Sequence, residues 1–204
     1  MNKQIIQKVD EIFIKNNGFA TTKQLMQEGI LKPYIYELYN QGILERLSRG
    51  LYKLTSYEYA PSEIVEVIKI IPRGVICLAS ALSFYNLTTY NPSYYQVAIK
   101  RDSKVTLPEY PPIKLVWFSD KFFEEGIEEI ETDSGFIRIY NREKTICDCI
   151  RYRNKIGNDI VFEAIREYMR GKEKNINKLI KYAEICRVKN IIKNYIEVLL
   201  WQEI

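Results

Sequence analysis

Side chains that can donate hydrogen bonds cluster near the start of the chain, in GFATTKQLMQEGILKPYIYELYNQGILERLSRGLYKL over residues 18–54. Lysine and arginine pair with phosphate groups, while tyrosine and asparagine can also contact the edges of bases. The candidates for such contacts are Thr21, Thr22, Lys23, Lys32, Tyr34, Tyr36, Asn40, Arg46, Arg49 and Lys53. Their chemistry indicates recognition of an anionic partner that also presents hydrogen-bonding edges.

The local signals around these residues predict a helix, a turn and a second helix. Thr21 or Thr22 can cap the first helix. Gly29 can end it, because glycine adopts the left-handed conformation without steric cost. Pro33 suits the first turn of the next helix, where its missing N–H leaves no bond unmade.

The spacing of apolar residues in the second helix predicts a polar outer face. Ile35 and Leu38 form its inward pair at helical spacing, so Lys32, Tyr36 and Asn40 lie on the outer side with the other polar residues. Such a face offers donors to phosphates and to base edges.

A short hairpin is predicted after this helix. Gly42 can end the helix, and two predicted strands follow that are joined by the turn SRG. Arg46 and Arg49 lie beside the tip of this hairpin, and Lys53 lies on its second strand. A hairpin with cations at its tip can lie against a phosphate backbone. The whole order predicts a winged helix-turn-helix that binds double-stranded DNA.

Composition bounds the remaining possibilities. The chain has 204 residues and a net charge of +4, too mild by itself to establish a nucleic-acid partner. It has no histidine, which excludes Ser-His-Asp and Cys-His catalysis and histidine-ligated metals. We predict its four cysteines to be small buried hydrophobes. No signal peptide or membrane-spanning run is evident, so we expect a cytoplasmic protein.

The pattern along the chain predicts an α+β protein. We expect a winged helix-turn-helix domain at residues 1–54, a linker at residues 55–60, and a mixed α/β domain at residues 61–204 with a small sheet and a helical C-terminus. Within the sheet, IKLVWFS is apolar enough to predict a central strand. FEEGIEEIETD and FIRIYN predict a hairpin pair.

Two charge runs stand in the second region. Residues 119–133 are strongly acidic, and residues 170–193 are strongly basic. The acidic run could bind a divalent ion as in a nuclease, but no carboxylate–x–lysine pair accompanies it, so we interpret it as a solvated edge. The basic run is either a second nucleic-acid or partner surface or a solvated helix face. We predict no catalytic residues, no metal site and no cofactor.

The chain resembles the AbiEi antitoxins of bacterial abortive-infection systems, which act in phage defence. The resemblance lies in the order of three segments over nearly the whole chain: GFATTKQLMQEGI, ERLSRGLYKL and IYNREKTICDCI. The resemblance implies a winged helix that binds inverted repeats in its own promoter and represses it. It also implies a C-terminal domain that counteracts a cognate toxin of nucleotidyltransferase type.

The resemblance also assigns positions. The DNA-reading helix falls on Lys32–Gln41 and the wing on Arg46–Lys53. The basic start of the C-terminal helices falls on Arg142, Lys144, Arg151 and Arg153. Relatives often carry a threonine–leucine–aspartate run there; Cys147 separates Ile146 from Asp148 here, which leaves the role of Asp148 open.

Three functions therefore compete. The leading hypothesis is an autorepressing antitoxin, a monomer or weak dimer that can cooperate on DNA. Its predicted antitoxin surface consists of Lys178, Lys181, Lys189 and Lys193. The alternatives are a plain transcriptional regulator with a sensing or dimerisation domain, and a metal-dependent nuclease. We expect a protein without enzymatic activity.

Overall fold

The computed structural model describes residues 3–56 and 61–202. Residues 57–60 of the predicted linker lie outside the described residues. The chain divides into two compact units. The first comprises Met1–Pro72, Val105–Pro111 and Glu131–Phe136, and the second comprises Arg73–Lys104, Pro112–Ile130 and Ile137–Ile204.

The first unit contains the predicted winged helix-turn-helix. Its elements are α1 (Lys3–Lys15), β1 (Phe19–Thr21), α2 (Thr22–Gln27), α3 (Lys32–Asn40), β2 (Leu44–Ser48), β3 (Leu51–Leu54) and α4 (Glu63–Ile70). The sheet has the order β1-β3-β2 and both of its pairings are antiparallel. The hairpin was predicted, whereas the short strand β1 beside it was not.

Local capping sets the helix boundaries in this unit. The Thr21 hydroxyl accepts from the Gln24 backbone N–H at 3.2 Å, and the Gln24 side-chain oxygen accepts from the Thr21 N–H at 2.8 Å. This is a capping box, which satisfies two backbone donors at the start of α2. Gly29 follows the helix with a φ of +83°. The predicted start and stop of α2 are therefore confirmed.

The core of the first unit lies between α1, the helix-turn-helix and the wing. Val9 and Phe13 of α1 are fully buried together with Leu25 and Leu38. Burial of one such side chain contributes about 1.5–3 kcal/mol relative to exposure. The apolar stripe of α1 thus fixes α2 and α3 as a rigid pair.

The helix α4 is grouped with this first unit. The Lys53 ammonium on β3 lies 2.9 Å from the Glu66 carboxylate of α4, which joins the two elements directly. The boundary at residues 55–60 stays a prediction, because the compact unit continues beyond it.

The second unit has a five-stranded mixed sheet covered by helices. The strands are β4 (Val75–Ile76), β5 (Tyr95–Lys100), β6 (Ile113–Phe118), β7 (Ile127–Thr132) and β8 (Gly135–Tyr140), in the order β6-β5-β4-β8-β7. Short helices α5 (Leu78–Phe84) and α6 (Asp120–Phe123) lie between them. The predicted hairpin pair is confirmed as β7 and β8, although its first residues belong to α6 and the turn after it.

The prediction of a central strand for IKLVWFS was wrong. The strand β6 is an edge strand that pairs in parallel with β5, from Tyr95 opposite Ile113 to Lys100 opposite Phe118. Trp117 is 54% exposed. Hydrophobicity indicates burial but does not distinguish an apolar edge strand from a central one.

The C-terminal region is helical, as predicted. It consists of α7 (Arg142–Arg151), α8 (Arg153–Ile156), α9 (Asn158–Arg170), α10 (Ile176–Ile185) and α11 (Lys189–Gln202). Residues 143–150 of α7 are all buried, so α7 is the central helix of the unit. All four cysteines are free and buried, which confirms the prediction made for them. In the described part of the chain, no helix combines the length and apolarity that crossing a bilayer requires.

Candidate nucleic-acid interface in the winged helix

The helix α3 presents a polar row on its outer side. Ile35 and Leu38 are 2% and 0% exposed and anchor the inner side. Lys32, Tyr36 and Asn40 are all exposed, and their four-residue spacing aligns them along one face. The predicted inward and outward faces of this helix are confirmed.

A groove lies between α3 and the wing. It encloses about 390 Å³ and is lined by Thr22, Lys32, Ile35, Tyr36, Arg46, Arg49, Gly50 and Tyr52. The Thr22 N–H donates to the Gly50 carbonyl at 2.9 Å, which fastens the start of α2 to the turn of the wing. The groove therefore has walls held by main-chain hydrogen bonds.

Three exposed cations border this groove. Lys32, Arg46 and Arg49 are exposed, and none of them belongs to the ion pairs found among residues 3–56 and 61–202. The Arg46 Nε donates to the Ser48 carbonyl at 3.3 Å, which orients the guanidinium along the wing. Unpaired cations on a firm scaffold can neutralise phosphates and release their counterions.

Lys53 has a different environment from these three cations. Its ammonium lies 2.9 Å from Glu66 and 3.2 Å from Glu45, and its side chain is 19% exposed. Burial lowers the pKa of Lys53, but hydrogen bonds to the two carboxylates outweigh burial and leave that pKa raised. This double ion pair occupies the ammonium, so we do not include Lys53 among the DNA contacts proposed below.

The remaining candidate DNA-contacting residues differ in their exposure and in their hydrogen bonds. The Thr21 hydroxyl is used within the capping box, whereas Thr22 lines the groove. Lys23 is exposed in the first turn of α2. Tyr34 is 38% exposed on the flank of α3, away from the central row. The structure therefore brings Thr22, Lys32, Tyr36, Arg46 and Arg49 together.

Sequence reasoning missed an aromatic contact behind the row. The Tyr39 ring lies 6.4 Å from the Tyr36 ring and 6.4 Å from the Tyr52 ring, measured between centroids. The spacing of Tyr36 and Tyr39 on one helix signals the first contact. The second joins α3 to β3 and has no local signal in the sequence.

The predicted antitoxin surface lies on α10 and α11 and is partly neutralised. Lys189 lies 2.5 Å from Glu184, and Lys181 lies 3.9 Å from Glu125. Lys178 and Lys193 are exposed and belong to none of the ion pairs found among the described residues. Local positive charge is therefore concentrated at those two lysines.

A buried ion pair occupies the middle of α7. The Lys144 Nζ lies 2.5 Å from the Asp148 Oδ2, and both side chains are 0% exposed. Lys144 was placed in a basic start of the C-terminal helices, but its burial removes it from any surface. Arg142 pairs instead with Glu173 at 2.7 Å, and the Arg151 guanidinium lies 3.9 Å from the centre of the Phe122 ring.

The acidic run of residues 119–133 meets cations of its own unit. Glu124 pairs with Lys100, and Glu129 lies 3.8 Å from Arg138. Among the residues that the structure describes, no three cysteine or carboxylate side chains are grouped so that they could hold a metal ion. This geometry is that of a charged surface.

The first unit contains a stretch that is similar to a known family. Residues 7–55 match the profile of a family described as "Transcriptional regulator, AbiEi antitoxin". The AbiEi resemblance is confirmed over this stretch. The matched residues include α2, α3 and the wing, so the AbiEi match coincides with the groove and its cations. It supports a DNA-binding antitoxin function.

One solved protein structure is similar to this chain in its fold. The crystal structure of the RV2827C protein from Mycobacterium tuberculosis superposes with a TM-score of 0.64, at 11% sequence identity. The match covers 96% of this chain and 78% of that chain. At this identity the likeness concerns the fold alone. No curated protein sequence matches the chain.

Proposed function

We propose that this chain is an antitoxin that represses its own toxin–antitoxin operon through the winged helix. In this proposal the C-terminal unit neutralises a toxin of nucleotidyltransferase type. The observation that carries the DNA-binding part is the groove beside α3, where Lys32, Arg46 and Arg49 belong to no ion pair found among the described residues. The AbiEi match over residues 7–55 supports the assignment to antitoxin regulators.

The wing holds the protein on the phosphate backbone, and α3 contacts base edges. Contacts to phosphates fix the position on the duplex, whereas contacts to base edges select the sequence. Arg46 and Arg49 supply the first kind, and Tyr36 and Asn40 supply the second. Two winged helices on an inverted repeat would bind as a symmetric pair.

Replacement of both wing arginines tests this assignment. Arg46→Ala together with Arg49→Ala should weaken binding to the operator and reduce the slope of log K against log salt by roughly 0.9 for each lost phosphate contact. Fluorescence anisotropy at several salt concentrations measures both quantities. The fold should persist, because both side chains are exposed.

The matched control removes two cations from the second unit. Arg101 and Lys104 are exposed and belong to no ion pair found in the described part of the chain, so Arg101→Ala with Lys104→Ala changes the net charge equally. We expect this control to keep the salt slope of the unmodified chain. An unchanged operator affinity in the double wing variant would remove the wing from the interface.

The antitoxin part rests on the cations of α10 and α11. Reversal of Lys178, Lys181, Lys189 and Lys193 to glutamate should reduce rescue from the toxin without changing operator binding. Surface charges act mainly on the rate of encounter, by roughly tenfold or more in favourable cases. Growth on co-expression with the neighbouring toxin, beside a promoter reporter, measures the two activities separately.

The ion pairs of Lys181 and Lys189 predict different effects for two halves of this fourfold reversal. Lys178→Glu with Lys193→Glu should reduce rescue more than Lys181→Glu with Lys189→Glu, because the latter two lysines already face carboxylates. If the fourfold variant is folded and rescues fully, the basic face is only a solvated one. If no toxin gene lay immediately downstream of the gene for this protein, the alternative of a plain transcriptional regulator would be favoured instead. We expect no metal-dependent cleavage of plasmid DNA by the unmodified chain.

A further inference from the structure

The row on the outer face of α3 has a tyrosine in its centre, and the half-buried Glu37 beside that tyrosine accepts from the Gln41 side chain. Tyr36 is 66% exposed and lies between Lys32 and Asn40 in the row described above. The helix contains no arginine, and its single lysine stands at the first position, beside the groove. The uncharged members of the row Lys32, Tyr36 and Asn40 are therefore a ring and an amide.

The exposed Tyr36 ring has an aromatic neighbour in Tyr39, which is itself 41% exposed. Tyr39 contacts it at an interplanar angle of 45°, and Tyr52 of the wing contacts Tyr39 edge-on at 66°. A tyrosine side chain has only two χ angles, so it loses little conformational entropy when a partner orders it.

The bases differ in what they offer to such a face. In the major groove thymine presents a methyl group, which makes apolar contacts, whereas guanine is read chiefly by arginine or lysine. Asparagine can form a bidentate pair with adenine. The four residue steps from Tyr36 to Asn40 rise about 6 Å along the helix, which corresponds to roughly two base pairs at 3.4 Å each.

We propose that α3 reads A·T base pairs, with Tyr36 against a thymine methyl group and Asn40 against an adenine about two pairs away. This inference rests on the proposed function, since it names the sequence that the same interface selects. Lys32 remains at the phosphate end of the row, next to Arg46 and Arg49 in the groove.

The test begins with selection from a pool of duplexes that carry a random central segment, using the full-length chain. The enriched duplex is then synthesised with uracil in place of each thymine in turn, which removes only the methyl group. We expect A·T-rich half-sites and, at one position in each half-site, an affinity loss of roughly fourfold, the equivalent of one methyl group left in water.

Variants connect that position to the ring. Tyr36→Ala should bind thymine and uracil duplexes equally, whereas Tyr36→Phe should retain the difference. Asn40→Ala should lose the preference for adenine at the second position. Tyr90→Ala removes a tyrosine that is 41% exposed in the second unit and should change neither preference.

The outcomes separate this inference from the proposed function. The inference would be overturned, with DNA binding intact, if the enriched duplexes bound the protein equally well with uracil or with thymine. Enrichment of guanine-centred sites would have the same meaning. Persistence of thymine discrimination in Tyr36→Ala would overturn it as well. A pool with no enriched sequence would overturn both the inference and the proposed specific binding.

Discussion

An Asp148→Ala variant is expected to lose about 3–5 kcal/mol of unfolding free energy, because it leaves the buried Lys144 ammonium without its counter-charge. The two groups lie 2.5 Å apart and neither side chain reaches solvent. Burial raises the pKa of Asp148, and the Lys144 ammonium opposes that rise. Urea denaturation followed by circular dichroism measures the loss.

A double replacement separates the charge effect from packing. Lys144→Met with Asp148→Asn removes both charges at nearly constant volume, so we expect a smaller loss of stability than that of Asp148→Ala. The Lys144 ammonium also lies 4.3 Å from the Tyr140 ring centre, an interaction that the double variant gives up. A double variant as unstable as Asp148→Ala would show that the pair itself stabilises the fold.

Gly126→Ala is the second substitution for which we expect a large effect. Gly126 has a φ of +77°, and an added Cβ would lie 2.7 Å from the Lys144 Cβ and 2.9 Å from its Cγ. An L-residue in this conformation costs about 1–2 kcal/mol, and overpacking costs about 1–3 kcal/mol. Together they predict a loss of about 2–5 kcal/mol in the same denaturation experiment.

Gly42→Ala is the matched control for that substitution. Gly42 has a φ of +73°, but among the described residues other than its two chain neighbours no atom lies within 4 Å of the position of an added Cβ. Only the backbone cost of about 1–2 kcal/mol remains. Equal losses in the two variants would mean that the contact with Lys144 relaxes freely, and that α7 is less tightly held than its burial indicates.

Local chemistry explains why the winged helix was predictable from sequence. The cap at Thr21, the stop at Gly29 and the proline at the start of α3 act within a few residues of themselves. Inward Ile35 and Leu38 then determine which side chains face outward. The outward row of α3 follows from these local signals.

The features that were not predicted depend on distant contacts. Pairing of Lys53 with Glu66 joins β3 to α4 and removes one candidate from the interface. Burial of Lys144 depends on an aspartate one helical turn away and on surrounding elements, whereas its sequence neighbours Arg142 and Arg151 suggested a basic surface. The edge position of β6 is set by strand order, which hydrophobicity does not encode.

Specific DNA binding is the central claim, and one titration tests it most directly. The full-length chain is titrated into the duplex that lies upstream of its own gene and into a scrambled duplex of equal length and composition, at 50 and 200 mM salt. We predict binding to the upstream duplex at least about 10³-fold tighter than to the scrambled one, with both affinities falling as salt rises. Equal affinity for the two duplexes at both salt concentrations would contradict this claim.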